Sequence, residues 1–121
     1  MTKEKMMWLL MDIFEKNPKD LFNLFKKRAG GELVFAMTGI KKVGNSANLS
    51  PEKIMRIQYS YCAFSLLADE NSEEFAKKWL KRGNIFLAEP IKAFRNLSPK
   101  SLFMVMNVVL NCIRAQHGIV P

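Results

Sequence analysis

The sequence predicts an all-α fold, a single-domain bundle of five or six helices over residues 1–121. Three observations carry that expectation. Apolar residues recur at intervals of three and four along most of the chain, which is the helical period. The breaks between these stretches carry cap chemistry. Asn17-Pro18, Ser50-Pro51 and Ser98-Pro99 each place a side-chain acceptor before a proline at the first helical position. Finally, 121 residues with 49% hydrophobic and 25% charged composition suit one globular core and leave no room for two.

The elements follow in order. Thr2 caps a first helix whose apolar positions are Met6, Leu9, Leu10, Ile13 and Phe14. Asn17-Pro18 ends it and opens a second, with Leu21, Phe22, Leu24 and Phe25 followed by Lys26-Lys27-Arg28, and Gly30-Gly31 stops that one. Leu33 to Met37 reads equally as a helical turn or a short strand. Residues 38–50, with Gly39, Gly44, Asn45 and Ser46, read as a flexible loop. Ser50-Pro51-Glu52 opens a long helix to about Ala68, with Lys53, Arg56 and Ser60 as one polar face and Ile54, Ile57, Tyr61, Phe64 and Leu67 on another.

Ser72 caps the next helix, where Glu73 and Glu74 complement the positive end of the dipole. Phe75, Ala76, Trp79 and Leu80 face inward, and Gly83 closes the element. A short helix over Ile85 to Arg95 is interrupted or restarted at Pro90. Ser98-Pro99 opens the last helix, which runs to about Gln116 and stops at Gly118. Its Leu102, Phe103, Val105, Met106, Val109, Leu110 and Ile113 make it the expected centre of the fold. Asn107 and Asn111, in line with Lys100 and Arg114, form its narrow polar stripe. The string Asn-Leu-Ser-Pro occurs at 48–51 and 96–99, and reads as two independent uses of a good cap.

Several function classes are disfavoured. Met6 to Phe14 is too short for a targeting segment, contains Asp12, and no small-residue cleavage site follows. No run approaches the roughly 18 apolar residues of a membrane span. Cys62 and Cys112 lie inside apolar helical patterns and read as free buried thiols in a reducing, cytoplasmic setting. The two glycosylation sequons are each followed by proline and are set aside. The single histidine, His117, is four residues from the last position and has no second histidine for a zinc site and no assignable pairing for a His-assisted nucleophile. The expectation is a chain with no enzymatic activity, no cofactor and no metal. Gly39 to Ser46 has the spacing of a phosphate-binding loop, but Asn45 stands where the phosphate-contacting lysine belongs. That leaves Lys41 and Lys42 as a basic loop pair flanked by glycines.

Charge is more informative. The chain carries 19 basic and 11 acidic residues, a net +8 with pI near 9.7. Residues 1–74 hold 11 basic and 10 acidic residues, whereas 75–121 hold 8 and 1. The excess is therefore local. Lys77, Lys78, Lys81 and Arg82 fall on one helix face, Lys92 and Arg95 form a second pair, and nothing in the local sequence is expected to neutralise them. Such a surface points to phosphate-backbone contacts with DNA or RNA, without base readout. Aligned as a helix-turn-helix, Trp79 would occupy a position that needs a small residue. Met7, Trp8 and Met11 surround the first helix with apolar surface and are the candidate contact for a protein partner or a second copy.

In size, charge and helicity the chain resembles the small basic helical subunits of CRISPR effector complexes and certain plasmid and phage accessory proteins. The resemblance implies a subunit that lines bound nucleic acid. No motif carries a family's functional residues over. The leading expectation is a non-catalytic nucleic-acid-binding subunit of a nucleoprotein complex. The alternative is a phage- or plasmid-type module that docks on a host protein through its apolar first helix.

Overall fold

The computed structural model describes residues 3–44, 49–83 and 87–116, and the regular structure within them is entirely helical. Seven helices are present among these residues: α1 (Lys3–Glu15), α2 (Pro18–Ala29), α3 (Gly31–Thr38), α4 (Pro51–Glu70), α5 (Glu73–Arg82), α6 (Pro90–Asn96) and α7 (Pro99–Gln116). The expected count of five or six falls short by α3.

The reason lies in the Gly30-Gly31 pair. Gly30 takes φ 89° and donates its N–H to the carbonyl of Lys26, closing α2. Its own carbonyl then accepts from the N–H of Val34, so the same residue opens α3. Gly30 thus ends α2 as expected, and a new helix starts at once. Leu33, Val34 and Met37 are buried on it, and Gly39 closes α3 in the left-handed region at φ 76°.

The other helix starts follow their caps. Asn17 Oδ1 accepts from the backbone N–H groups of Lys19 and Asp20. Ser50 Oγ accepts from Lys53, Ser72 Oγ from Phe75, and Ser98 Oγ from Ser101. The expected cap Thr2, the stop at Gly118, and His117 lie outside the described residues, as do positions 84–86. The short helix expected over Ile85 to Arg95 is seen only from Pro90, which occupies the first helical turn of α6, and residues 87–89 lie outside any helix.

The centre of the fold is α4, not α7. Every residue from Arg56 to Ala68 is buried. Helices α1, α2, α3, α5, α6 and α7 all pack on α4, and α7 shares its broadest contact. Of the expected polar face, only Lys53 is exposed, while Arg56 and Ser60 are covered, Ser60 completely. Periodicity alone does not reveal this, because a helix wrapped on all sides buries its polar stripe as well.

Arg28 of α2 answers much of that burial. Its guanidinium donates to Tyr61 Oη at 3.0 Å and Ser65 Oγ at 3.2 Å, and meets Glu73 at 3.1 Å and Asp69 at 3.4 Å. Desolvation works against its charge, but the bonds to Tyr61 and Glu73 and the field of Asp69 more than offset it, so its pKa lies above the ordinary value.

The α7 helix follows the expected polarity in part: Leu102, Val105, Met106, Val109, Leu110 and Ile113 are buried and Asn111 is exposed, whereas Phe103 and Asn107 are half-buried and Met104, outside the polar stripe, is 70% exposed. Val109→Asp places an unpaired charge at a position with 0% exposure. It should cost several kcal/mol, against a total stability of roughly 5–15 kcal/mol. Asn111→Asp should stay within about 0.5 kcal/mol. Urea unfolding followed by circular dichroism separates them, and equal shifts would refute the facing assignment.

Candidate nucleic-acid interface

The predicted basic residues are held by α5, α6 and the segment after α3. On α5, Ala76, Trp79 and Leu80 anchor the inner face, with Phe75 half-buried beside them. Trp79 Nε1 donates to Cys112 Sγ of α7 at 3.0 Å, fixing the rotation of α5. That rotation turns Lys78, Lys81 and Arg82 to solvent. No acidic side chain pairs with these three among the described residues. Lys77 is half-buried and meets Glu74 at 3.6 Å, so one of the four charges does have a local partner, contrary to the sequence expectation. Glu74 is itself exposed, so this pair contributes little to stability.

The α6 residues divide in role. Lys92 is exposed and pairs with Glu89 at 3.1 Å, a second local partner absent from the sequence reading. Arg95 works inside the framework. Its guanidinium donates to the carbonyls of Phe35 at 3.3 Å and Ala36 at 3.4 Å, in the last turn of α3. It also lies 5.1 Å from the Phe35 ring centroid. A Cβ added at Gly39 would stand 2.7 Å from Arg95 Nε, so that glycine makes room for the guanidinium.

The Lys41–Lys42 segment is anchored on both sides of the pair. Thr38 belongs to α3, not to the loop; its hydroxyl donates to Val34 O and accepts from the N–H of Ile40. Ile40 and Val43 are buried, whereas Lys41 and Lys42 project outward. Lys41 Nζ sits 5.3 Å from the Phe35 centroid, on the same ring that Arg95 contacts. Asn45 and Ser46 of the phosphate-loop-like string lie outside the described residues.

Two groupings result. A cleft of about 330 Å³ between the end of α5 and the start of α6 is lined by Lys81, Arg82 and Lys92 together with Leu80, Pro90 and Ile91. Arg95 and Lys41 meet on Phe35. Helix α6 contributes one cation to each, Lys92 to the cleft and Arg95 to the Phe35 grouping, so it links the two basic regions that are remote in sequence. The sequence reading missed the framework roles of Arg28, Arg56 and Arg95, and the acidic Glu89 on the cleft. The spacings of three between Glu89 and Lys92, and of four between Glu52 and Arg56, were the available signals.

Cys62 and Cys112 are free and buried. Burial pushes both thiols upward, while the Trp79 hydrogen bond pulls Cys112 part of the way back. Among the described residues, no group of three His, Cys, Asp or Glu is placed to hold a metal ion, and no helix is long and apolar enough to cross a membrane. On α1, Met7, Trp8 and Met11 are exposed as expected, Trp8 to 65%, and Phe14 joins them with its ring edge-on to Tyr59 at 6.1 Å. No family model matches the chain, and no curated protein or solved structure matches it.

Arg95→Ala should cost about 1 kcal/mol, the scale of exposed charge-assisted bonds to the α3 carbonyls. Lys92→Ala should fall within about 0.5 kcal/mol, because its ion pair is exposed. Denaturant midpoints of the two variants test whether Arg95 is a framework residue.

Proposed function

We propose that this chain is a non-catalytic nucleic-acid-binding helical subunit of a larger nucleoprotein complex, contacting the phosphate backbone through the α5–α6 surface. The observation that carries the reading is the exposure of Lys78, Lys81 and Arg82 side by side, without an acidic partner among the described residues. Three adjacent like charges repel one another, and a polyanion relieves that repulsion while releasing its own counterions. Lys92, across the cleft, extends the surface, and Lys41 and Lys42 extend it beyond Arg95. The cations are mostly lysines, which act as point charges toward phosphate and carry no base information. A small helical subunit of a CRISPR effector complex is one setting for such a surface.

A second reading is favoured by the exposed stripe on α1. Met7, Trp8, Met11 and Phe14 fall at the anchor spacing of a helix that packs into an apolar groove or against a second copy. On this reading the parent sediments as a species larger than a monomer at high salt. A Trp8→Glu, Met11→Glu variant would then sediment as a monomer while staying within about 1 kcal/mol of parental stability. A monomeric parent moves the partner to another protein.

The backbone reading is tested by replacing Lys78, Lys81 and Arg82 together with Gln, which keeps helix propensity nearly constant. The slope of log affinity against log salt should become shallower by about 0.7–0.9 per replaced residue. The loss should be similar across nucleic-acid sequences. Fluorescence anisotropy at several salt concentrations measures both. Unchanged affinity and slope in a folded variant remove this face from the binding surface.

A further inference from the structure

Resting on the nucleic-acid reading above, we infer that the α5–α6 cleft seats one unpaired nucleotide, so that the chain prefers single strands to duplexes. The cleft has two chemistries. Its floor is aliphatic, from Leu80, Pro90 and Ile91, and its rim is cationic, from Lys81, Arg82 and Lys92. A bare phosphate suits the rim but leaves Ile91 wet, the half-buried part of a floor whose Leu80 and Pro90 are already buried. A ligand that satisfies both carries an anionic group joined to a flat apolar one, which describes a nucleotide. The size agrees, because about 330 Å³ lies near the lower end of small-molecule sites, ~300–1,000 Å³.

The rim also orients the ligand. Lys92 is already engaged by Glu89 at 3.1 Å, and that carboxylate repels phosphate. The phosphate is therefore drawn toward Lys81 and Arg82, and the base or sugar toward Pro90 and Ile91. In a duplex the bases are paired and stacked inside, so only backbone reaches a protein surface of this kind. An unpaired base is free to turn onto an apolar floor.

The cleft is built into the framework. Gly83 has φ 80°, and a Cβ there would lie 2.0 Å from the carbonyl oxygen of Ala88, so the backbone closes tightly at one end. At the other end, Arg56 donates to the carbonyl of Phe94, and Arg95 holds α6 to α3. The walls are thus fixed before a ligand arrives.

The test uses fluorescence anisotropy on the full chain, with a labelled 12-nucleotide single strand of mixed sequence and the blunt duplex made from it. The parent should bind the single strand about tenfold more tightly, the effect of removing on the order of 50 Å² of apolar surface from water. Ala88→Leu, at an exposed cleft position, should lose about that factor for the single strand and nothing for the duplex. Adenosine monophosphate should displace the strand at concentrations where inorganic phosphate, at matched ionic strength, does not. This arm needs no variant, and it separates the nucleotide from phosphate alone. Equal affinity for the two probes, or equal displacement by phosphate and nucleotide, overturns the cleft assignment while leaving backbone binding intact. Displacement by poly-glutamate as effective as by unlabelled strand overturns it in favour of an acidic protein. Failure of the parent to bind either probe overturns the backbone reading and the cleft assignment together.

Discussion

Residues 56–68 of α4 are buried on every side, and the rest of the molecule is arranged around that burial. A polar atom removed from water costs free energy unless a protein partner replaces the lost hydrogen bond. Arg56, Tyr61 and Ser65 all lie in this stretch. Arg28 supplies partners to Tyr61 and Ser65 and so ties α2 to α4; through Glu73 it reaches α5. Arg56 reaches the carbonyl of Phe94 and ties α6 to α4. Of the fully buried side-chain polar atoms among the described residues, Ser60 Oγ is the one without a partner. The same helix supplies the apolar contacts that hold the core, with Phe64 tilted against Phe25 and Tyr59 edge-on to both Phe14 and Phe103.

This arrangement divides the positive charge into two populations. Three of the five arginines, Arg28, Arg56 and Arg95, serve the framework, where a planar group with several fixed donors bridges acceptors on different helices. The exposed α5–α6 surface is left mostly to lysines, with Arg82 beside them. Net charge of +8 therefore overstates how much cationic side chain is free of the framework, and understates how concentrated the free part is. The division also explains why removing Arg95 and removing Lys81 have different physical meanings. The first loosens the seat of α6 on α3, and the second removes a point charge that faces solvent.

Local chemistry was legible in the sequence, and tertiary chemistry was not. Asn17, Ser50, Ser72 and Ser98 act within three residues of themselves, so their caps and the helices they open are readable from spacing alone. The exposed apolar positions of α1 were readable too, because Met7, Trp8 and Met11 follow a helix that is apolar nearly all round. Helix α3 was not, since its start depends on the φ of Gly30, and a short apolar run has no period long enough to decide. The burial of Arg56 and Ser60 depends on neighbours supplied from elsewhere in the chain. Arg95 looked identical to Lys92 in sequence, and only the approach of α3 separates their roles. The cleft was invisible for the same reason, as it joins Leu80 to Ile91 across a turn that Gly83 closes.

The two exposed surfaces differ in electrostatics, which bears on whether they compete. Over residues 3–16, Lys3, Lys5 and Lys16 balance Glu4, Asp12 and Glu15, so the stretch carrying the apolar stripe is neutral overall. The C-terminal 47 residues, 75–121, carry the excess. Copies of a strongly cationic protein repel one another at long range, and a bound polyanion cancels that repulsion along its length. A neutral apolar stripe then becomes the face at which neighbouring copies, or another protein, approach with the least electrostatic cost. On the proposed reading, backbone binding on α5 and α6 and apolar contact on α1 are in this sense sequential. The first weakens as salt rises and lowers the barrier to the second, while the second responds little to salt, because its driving force is the apolar area removed from water.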